Sequence, residues 1–299
     1  MLATGRDKMT RRQFGENVWL TRGVAEGAQY RAQPLAYEVL DSEEAVGRAQ
    51  FEELKRAALE KEGDPLIILL GGREAQALYR ILGDKAQTAE IDDLLKRLHV
   101  FTQDALAPMR MDNGLSFVRD FERLLGEDFF RKVKSFTPMQ TDTEDLEGAL
   151  VRYLGKLDSL GGIDIFFLGL GPEAGAASHL AYIKPGSGAA VGDLAGVIPI
   201  SSSILEHHIK KFKVGGSKVT EEDEAECRRA SHILMLGPAA ILEARRIVQS
   251  IVDASTAPGK RQSYRRLLET EISNDPPHRL RNWMRIRASG CGCMETCAP

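Results

Sequence analysis

Cysteine is too scarce in this chain to staple a fold. Of the four present, Cys227 stands alone and Cys291, Cys293 and Cys297 crowd into the last residues, so a disulfide framework is excluded as the main source of stability. Three thiolates at that spacing fall short of a tetrahedral metal set, and no histidine lies close by to complete it. No metal or cofactor is therefore expected. Long apolar runs are missing as well: nowhere do about 18 consecutive apolar residues occur, the length a membrane-spanning helix needs. The N-terminal stretch MLATGRDKMTRRQFGENVWLTRG carries basic residues without the apolar core of a secretory leader, which places the expected protein in the cytoplasm and off the membrane. Charge of one sign is also lacking. Forty Lys and Arg against 43 Asp and Glu leave a net charge of −3, so no global field attracts nucleic acid, and any anion site must be local.

What the 299 residues do hold is material for a core, 43% of them hydrophobic. Residues 1–35 lack periodicity and are expected to form an extended arm, with Trp19 and Leu20 able to tuck onto the body. From Ser42 a capping serine, acidic residues in the first turn and helically spaced apolar positions predict a helix to Gly63. The run DPLIILLGG predicts a strand buried on both faces of a parallel sheet, followed by a helix from Arg73 to Leu82. The unit repeats, with strands predicted at Leu98–Thr102, Ile163–Gly171, Gly196–Ser201 and His232–Gly237. Helices are predicted over Ser116–Val133, over DLEGALVRYLGKLDSLGG, over TEEDEAECRRA behind a threonine cap, and over PAAILEARRIVQSIVDAS behind a proline. Strands alternating with helices predict crossover units in a mostly parallel, Rossmann-like sheet, a three-layer α/β/α sandwich occupying residues 36–288. NWMRIRA is a candidate edge strand, and residues 289–299 are expected to be a flexible Cys-rich tail. The adjacent histidines of HHIKKFK diverge on a helix and read as part of an exposed basic face.

In an open parallel sheet the ligand crevice lies beyond the carboxyl ends of the strands. Three such ends stand out: LLGGREAQ, VFTQDALAP and FLGLGPEAGAASHLAYIKPGSG. Glycines after a strand let backbone approach a ligand closely, and the following helix start favours an anion, so Gly71 and Gly72 suit a phosphate; they equally suit a tight turn with no ligand. Arg73 stands where a phosphate-gripping hydroxyl would be useful, and can clamp a phosphate, pair with Glu74 or face solvent. GLGPEAG resembles a dinucleotide fingerprint but places Ala174 where the third glycine belongs.

LIILLGGREAQALYRIL, HVFTQDALAP with NGLSFVRDF, and GGIDIFFLGLGPEAGAAS fall in the order and strand context of the glucosamine-6-phosphate deaminase and 6-phosphogluconolactonase family, which the sequence resembles over roughly residues 37–255. SHILMLGPAAILEARRIV is similar to that family's late strand and helix. The resemblance implies an α/β/α sandwich, a small-molecule sugar phosphate as ligand, and positioned acid and base groups. A deaminase of this kind isomerises and deaminates an aminosugar phosphate, with an aspartate moving the C2 proton and a histidine opening the ring; a lactonase hydrolyses a sugar lactone with a histidine activating water.

Residue by residue the match is partial. Asp104 falls on the aspartate of the family's F-x-x-D-E motif, with Ala105 replacing its acidic neighbour. Glu173 takes the place of the motif aspartate, and Ala174 and Gly175 stand where glycine and histidine belong. A gapped alignment puts His179 on the catalytic histidine and Lys184 on a supporting glutamate, with Ser178 a further pocket residue. Arg73 and Glu74 replace the phosphate loop's hydroxyls, and Ala240 occupies a late position where the deaminases carry a phosphate-contacting lysine. The candidate catalytic set is thus Asp104, Glu173 and His179, and the candidate phosphate set is Gly71, Gly72 and Arg73. The activities implied are aminosugar-phosphate isomerisation–deamination, lactone hydrolysis, or catalytically inactive sugar-phosphate binding with a regulatory role. Homo-oligomerisation is left open.

Overall fold

The computed structural model describes residues 9–22, 36–69, 71–171, 187–252, 258–262 and 291–296. Among these, two sheets of different character form the frame. The first is entirely parallel, with strand order β3 (Ala36–Leu40), β12 (Cys291–Thr296), β11 (Arg246–Ile251), β8 (Ile165–Leu168), β4 (Leu66–Leu69), β5 (His99–Thr102) and β7 (Ser135–Thr137). The second is entirely antiparallel: β1 (Thr10–Phe14), β2 (Asn17–Thr21), β9 (Asp193–Pro199), β10 (His232–Leu236) and β6 (Asp104–Ala107).

Side-chain alternation explains why the parallel sheet is apolar throughout. On β8, Ile165 and Phe167 join one core while Phe166 and Leu168 join the other, and on β5 Val100 and Phe101 divide in the same way. A strand with both faces covered must be apolar at every position, and IFFL and LIIL are. The first core is closed by α1 (Glu43–Glu60), α2 (Gln76–Ala86), α3 (Asp92–Leu95) and α4 (Phe117–Lys132). The second lies between the other sheet face, α5 (Leu146–Ser159), α8 (Pro238–Glu243) and the antiparallel sheet. A third, smaller core packs β6 against α6 (Ser202–Val214) and α7 (Glu221–Cys227). The α/β/α layering predicted from the sequence is therefore present, with an antiparallel sheet added to its second layer. Helix starts follow their caps: Ser42 accepts from the Ala45 amide at 3.1 Å, and Thr220 and Asp223 form a reciprocal capping box.

Several elements differ from the sequence-based expectation. The stretches predicted as fourth and fifth parallel strands, β9 and β10, pair antiparallel instead. The predicted long helix from Pro238 ends after six residues, and Arg246–Ile251 is a central strand; its β-branched Ile247, Val248 and Ile251 pack on both sheet faces. Within the predicted N-terminal arm, residues 10–21 form a hairpin that adds two strands to the antiparallel sheet. Within the expected flexible tail, Cys291–Thr296 pair between β11 and β3. NWMRIRA lies outside the described residues.

Trp19 on β2 joins the antiparallel sheet to the body. It has no exposed surface, donates from Nε1 to the Ser187 carbonyl at 3.2 Å, and lies against Gly196, where a Cβ would come within 2.9 Å of its ring. Replacing Trp19 with alanine leaves a ring-sized cavity in the second core. We expect a loss of about 3–5 kcal/mol in urea-denaturation stability, whereas truncating exposed Leu59 should change it by less than ~0.5 kcal/mol.

Candidate functional site

Chain direction decides where the site falls. The parallel strands β4, β5 and β8 end side by side, and the backbone leaving each carries Gly71-Gly72, Gln103-Asp104 and Gly169–Gly171 respectively. These three ends converge on one cavity of about 520 Å3, closed on the helical side by Phe117 and Asp120 of α4 and by His207, His208 and Lys211 of α6.

Gln103 is the joint between the two sheets. Its amide donates to the Leu69 carbonyl at 2.8 Å, extending the parallel ladder, while its carbonyl accepts from the Leu236 amide at 2.9 Å, opening the antiparallel one. Asp104 is thereby the first residue of a second strand, paired opposite Met235, rather than a turn or helix-cap residue. It is buried, and Oδ1 has no hydrogen-bond partner among the described residues. Burial pushes its carboxyl up from 3.8 to about 7; a hydrogen bond from the Gly71 amide works against that rise and the nearby Glu74 charge adds to it.

The glycines of the turn are sterically required. A Cβ at Gly71 would lie 2.4 Å from the Phe117 ring, and Gly72 has a φ of 109°, where other residues are strained. The turn then enters a one-turn 3-10 helix, Arg73–Ala75, ahead of α2. Glu74 in that turn is buried and forms an ion pair with Lys260, itself only 5% exposed. Both residues line the cavity. Lys260 was not legible in the sequence as a site residue, since 186 positions separate the partners; Ala240, at the late lysine position of the resemblance, is buried in the second core.

Other groups around the cavity are held by neighbours. Burial raises the Asp120 carboxyl, opposed by hydrogen bonds from Arg123 and Gln76. His208 donates from Nε2 to the Leu115 carbonyl at 2.7 Å, and it stands edge-on to Phe117 with ring centroids 5.1 Å apart. Burial pushes it down to about 4, so it is a neutral wall residue at neutral pH. The expectation of an exposed HHIKKFK face thus fails at His208, which turns inward.

The structure brings Gly71, Gly72 and Asp104 to a single cavity. The side chain of Arg73, and all of Glu173, Ser178, His179 and Lys184, lie outside the described residues. Among the described residues no cluster of three His, Cys, Asp or Glu side chains could hold a metal ion, and no helix is long and apolar enough to cross a membrane.

Solved structures share this fold. A monomeric glucosamine-6-phosphate deaminase superimposes with a TM-score of 0.67, covering 87% of this chain and 97% of its own, at 19% identity. For 6-phosphogluconolactonase from Trypanosoma brucei the TM-score is 0.64, over 89% and 97% of the two chains at 16% identity; for the 6-phosphogluconolactonase from Shewanella baltica it is 0.62, over 89% and 100% at 15% identity. No protein-family model matches the sequence, and no curated protein sequence matches it significantly. The chain has the fold of these deaminases and lactonases on a divergent sequence.

Asp104 gives the site a pH signature. Its folded-state pKa, about 7, lies above the ordinary 3.8, so the folded protein holds this proton more tightly than the unfolded chain. Its contribution to stability is then full below about pH 4 and is lost as pH rises to about 7, at ~1.4 kcal/mol per unit. Asp104→Asn removes that dependence. The stability of the variant minus that of the wild type, measured by urea denaturation, should climb between about pH 4 and 7 and level off above.

Proposed function

We propose that this protein is an enzyme of carbohydrate metabolism that moves a proton on an aminosugar bound in the strand-end crevice, with Asp104 as the base. The observation that supports this most is the state of that carboxyl: buried in the cavity wall, one oxygen unpartnered among the described residues, and a pKa pushed up to about 7. A group titrating near the working pH is populated in both the accepting and the donating form, which suits proton transfer to and fro between adjacent carbons. The Gly71 amide steadies the ionised form, and the hydrophobic surroundings keep it basic.

In this reading Asp104 takes the proton from the amine-bearing carbon of the ring-opened sugar and returns it to the neighbouring carbonyl carbon, leaving a carbon–nitrogen double bond that water hydrolyses to a ketone with release of ammonia. Glu173 and His179 are proposed as the carboxylate–imidazole pair that opens the ring, a role assigned on the sequence resemblance alone. The likeness to a glucosamine-6-phosphate deaminase supports deamination, while the likeness to 6-phosphogluconolactonases keeps lactone hydrolysis as the alternative chemistry in the same crevice.

A catalytically inactive binding or regulatory protein is the second reading. What favours it is His208, which lies in the cavity wall with its Nε2 proton committed to a backbone carbonyl and its pKa held down to about 4.

Ammonia release from glucosamine and from glucosamine-6-phosphate, together with hydrolysis of 6-phosphogluconolactone, separates these readings. Ammonia release that Asp104→Asn lowers by about 10²–10⁴-fold is the expected outcome. Lactone hydrolysis alone would transfer the assignment to the hydrolase. No turnover in either assay, with sugar binding retained, would assign the regulator.

A further inference from the structure

An anion cradle at a strand end has three parts: glycines that let backbone close on the ligand, the start of a helix, and a cation from a facing element. All three are here, in Gly71-Gly72, the one-turn helix that follows, and Lys260 of the segment 258–262. Between them stands Glu74. Its carboxylate pairs with the Lys260 ammonium, and both side chains are buried. The pair is pinned on both sides. The Glu74 carbonyl accepts from Gln50 Nε2 at 3.3 Å and Ser250 Oγ at 3.0 Å, and Lys260 also donates to the Val252 carbonyl at 3.3 Å.

A phosphate entering this turn would therefore meet two carboxyl groups, Glu74 and Asp104, and a lysine whose charge is already neutralised. Glu74 Oε2 lies 3.4 Å from where a Cβ on Gly72 would stand, and in a low-dielectric wall like charges at contact range repel strongly. We propose that Glu74 is a built-in anion occupying the turn's anion subsite, so that the crevice selects a ligand whose end facing Gly71-Gly72 is a hydroxyl or an ammonium, in preference to the phosphate ester of the same sugar. The ligand class named here rests on the carbohydrate reading of the crevice; the occupancy of the subsite does not. Glu74 is on this account the specificity-determining residue.

The test is calorimetric titration, in a buffer free of phosphate, of wild-type protein, Glu74→Thr and Glu74→Thr/Lys260→Met with inorganic phosphate, glucosamine and glucosamine-6-phosphate. Opening the subsite should make Glu74→Thr bind inorganic phosphate at least about tenfold more tightly than wild type, and Lys260→Met should abolish that gain. Wild-type protein should bind glucosamine at least as tightly as glucosamine-6-phosphate. Because Glu74→Thr leaves a buried lysine unpaired and could fail to fold, Glu74→Gln, which keeps the side-chain volume and removes the charge, provides a second variant with the same expected gain. The proposal is overturned if wild-type protein binds inorganic phosphate as tightly as the folded variants do, or prefers the phosphate ester over the free aminosugar. If neither sugar binds wild-type protein yet Glu74→Thr or Glu74→Gln gains phosphate, the carbohydrate reading fails while the occupied subsite stands.

Discussion

The Gln103 backbone, donating to the Leu69 carbonyl of the parallel sheet and accepting from the Leu236 amide of the antiparallel one, is the contact on which the crevice depends. Leu69 closes β4 and Leu236 closes β10, so these two hydrogen bonds span the seam between the two sheets. A seam of this kind cannot be loose, because each sheet fixes its own strand positions through its ladder and its core. The cavity is what remains where the strand ends part, and its walls inherit the rigidity of both frames.

The same junction concentrates charge that would be costly anywhere else in the core. Burying a carboxyl without a full set of partners raises its pKa instead of leaving it charged, and Asp104 follows that rule. Glu74 is handled differently, by a lysine from a segment 186 residues away in sequence. A buried pair of this kind adds little net stability over an apolar replacement, but deleting either member leaves an uncompensated charge and is strongly destabilising. Glu74 and Lys260 thus form a pair in which exchanging one member alone is costly. That interdependence accounts for the coexistence of an anion-cradle geometry with a carboxylate inside it.

Much of the frame was legible in the sequence because local signals and burial agreed. DPLIILLGG reads as a strand buried on both faces and IDIFFLGLG as a strand, and Ile67–Leu69 and Ile165–Leu168 there divide between the two cores; Ser42, Ser116 and Thr220 read or serve as caps that start helices where expected. Failures occurred where a pattern fits two periods or where pairing direction decides. Ile241, Val248, Ile251 and Val252 fall at helix-compatible spacing, and only their β-branching hinted at the strand that Arg246–Ile251 forms. The apolar runs of β9 and β10 give no sign of strand direction, so antiparallel pairing was invisible. Gly71, Gly72 and Asp104 were readable as crevice residues because strand-end position is a local property. The Glu74–Lys260 pair was not, since nothing near Lys260 in APGKRQ marks it as facing a turn so far away. The inward turn of His208 was equally hidden, being set by the Leu115 carbonyl and the Phe117 and Phe212 rings.

The claim that the two sheets close over a buried carboxyl at the mouth of the glycine turn is tested most directly by titrating that carboxyl itself. Side-chain carbonyl carbon-13 resonances of aspartate-labelled protein, with the Asp104 signal assigned by its loss in Asp104→Asn, report the protonation of this one group. A midpoint raised from the ordinary 3.8 to about 7 is the result expected from burial of this carboxyl. A midpoint in the ordinary aspartate range near 4 would contradict a desolvated Asp104 carboxyl at the seam.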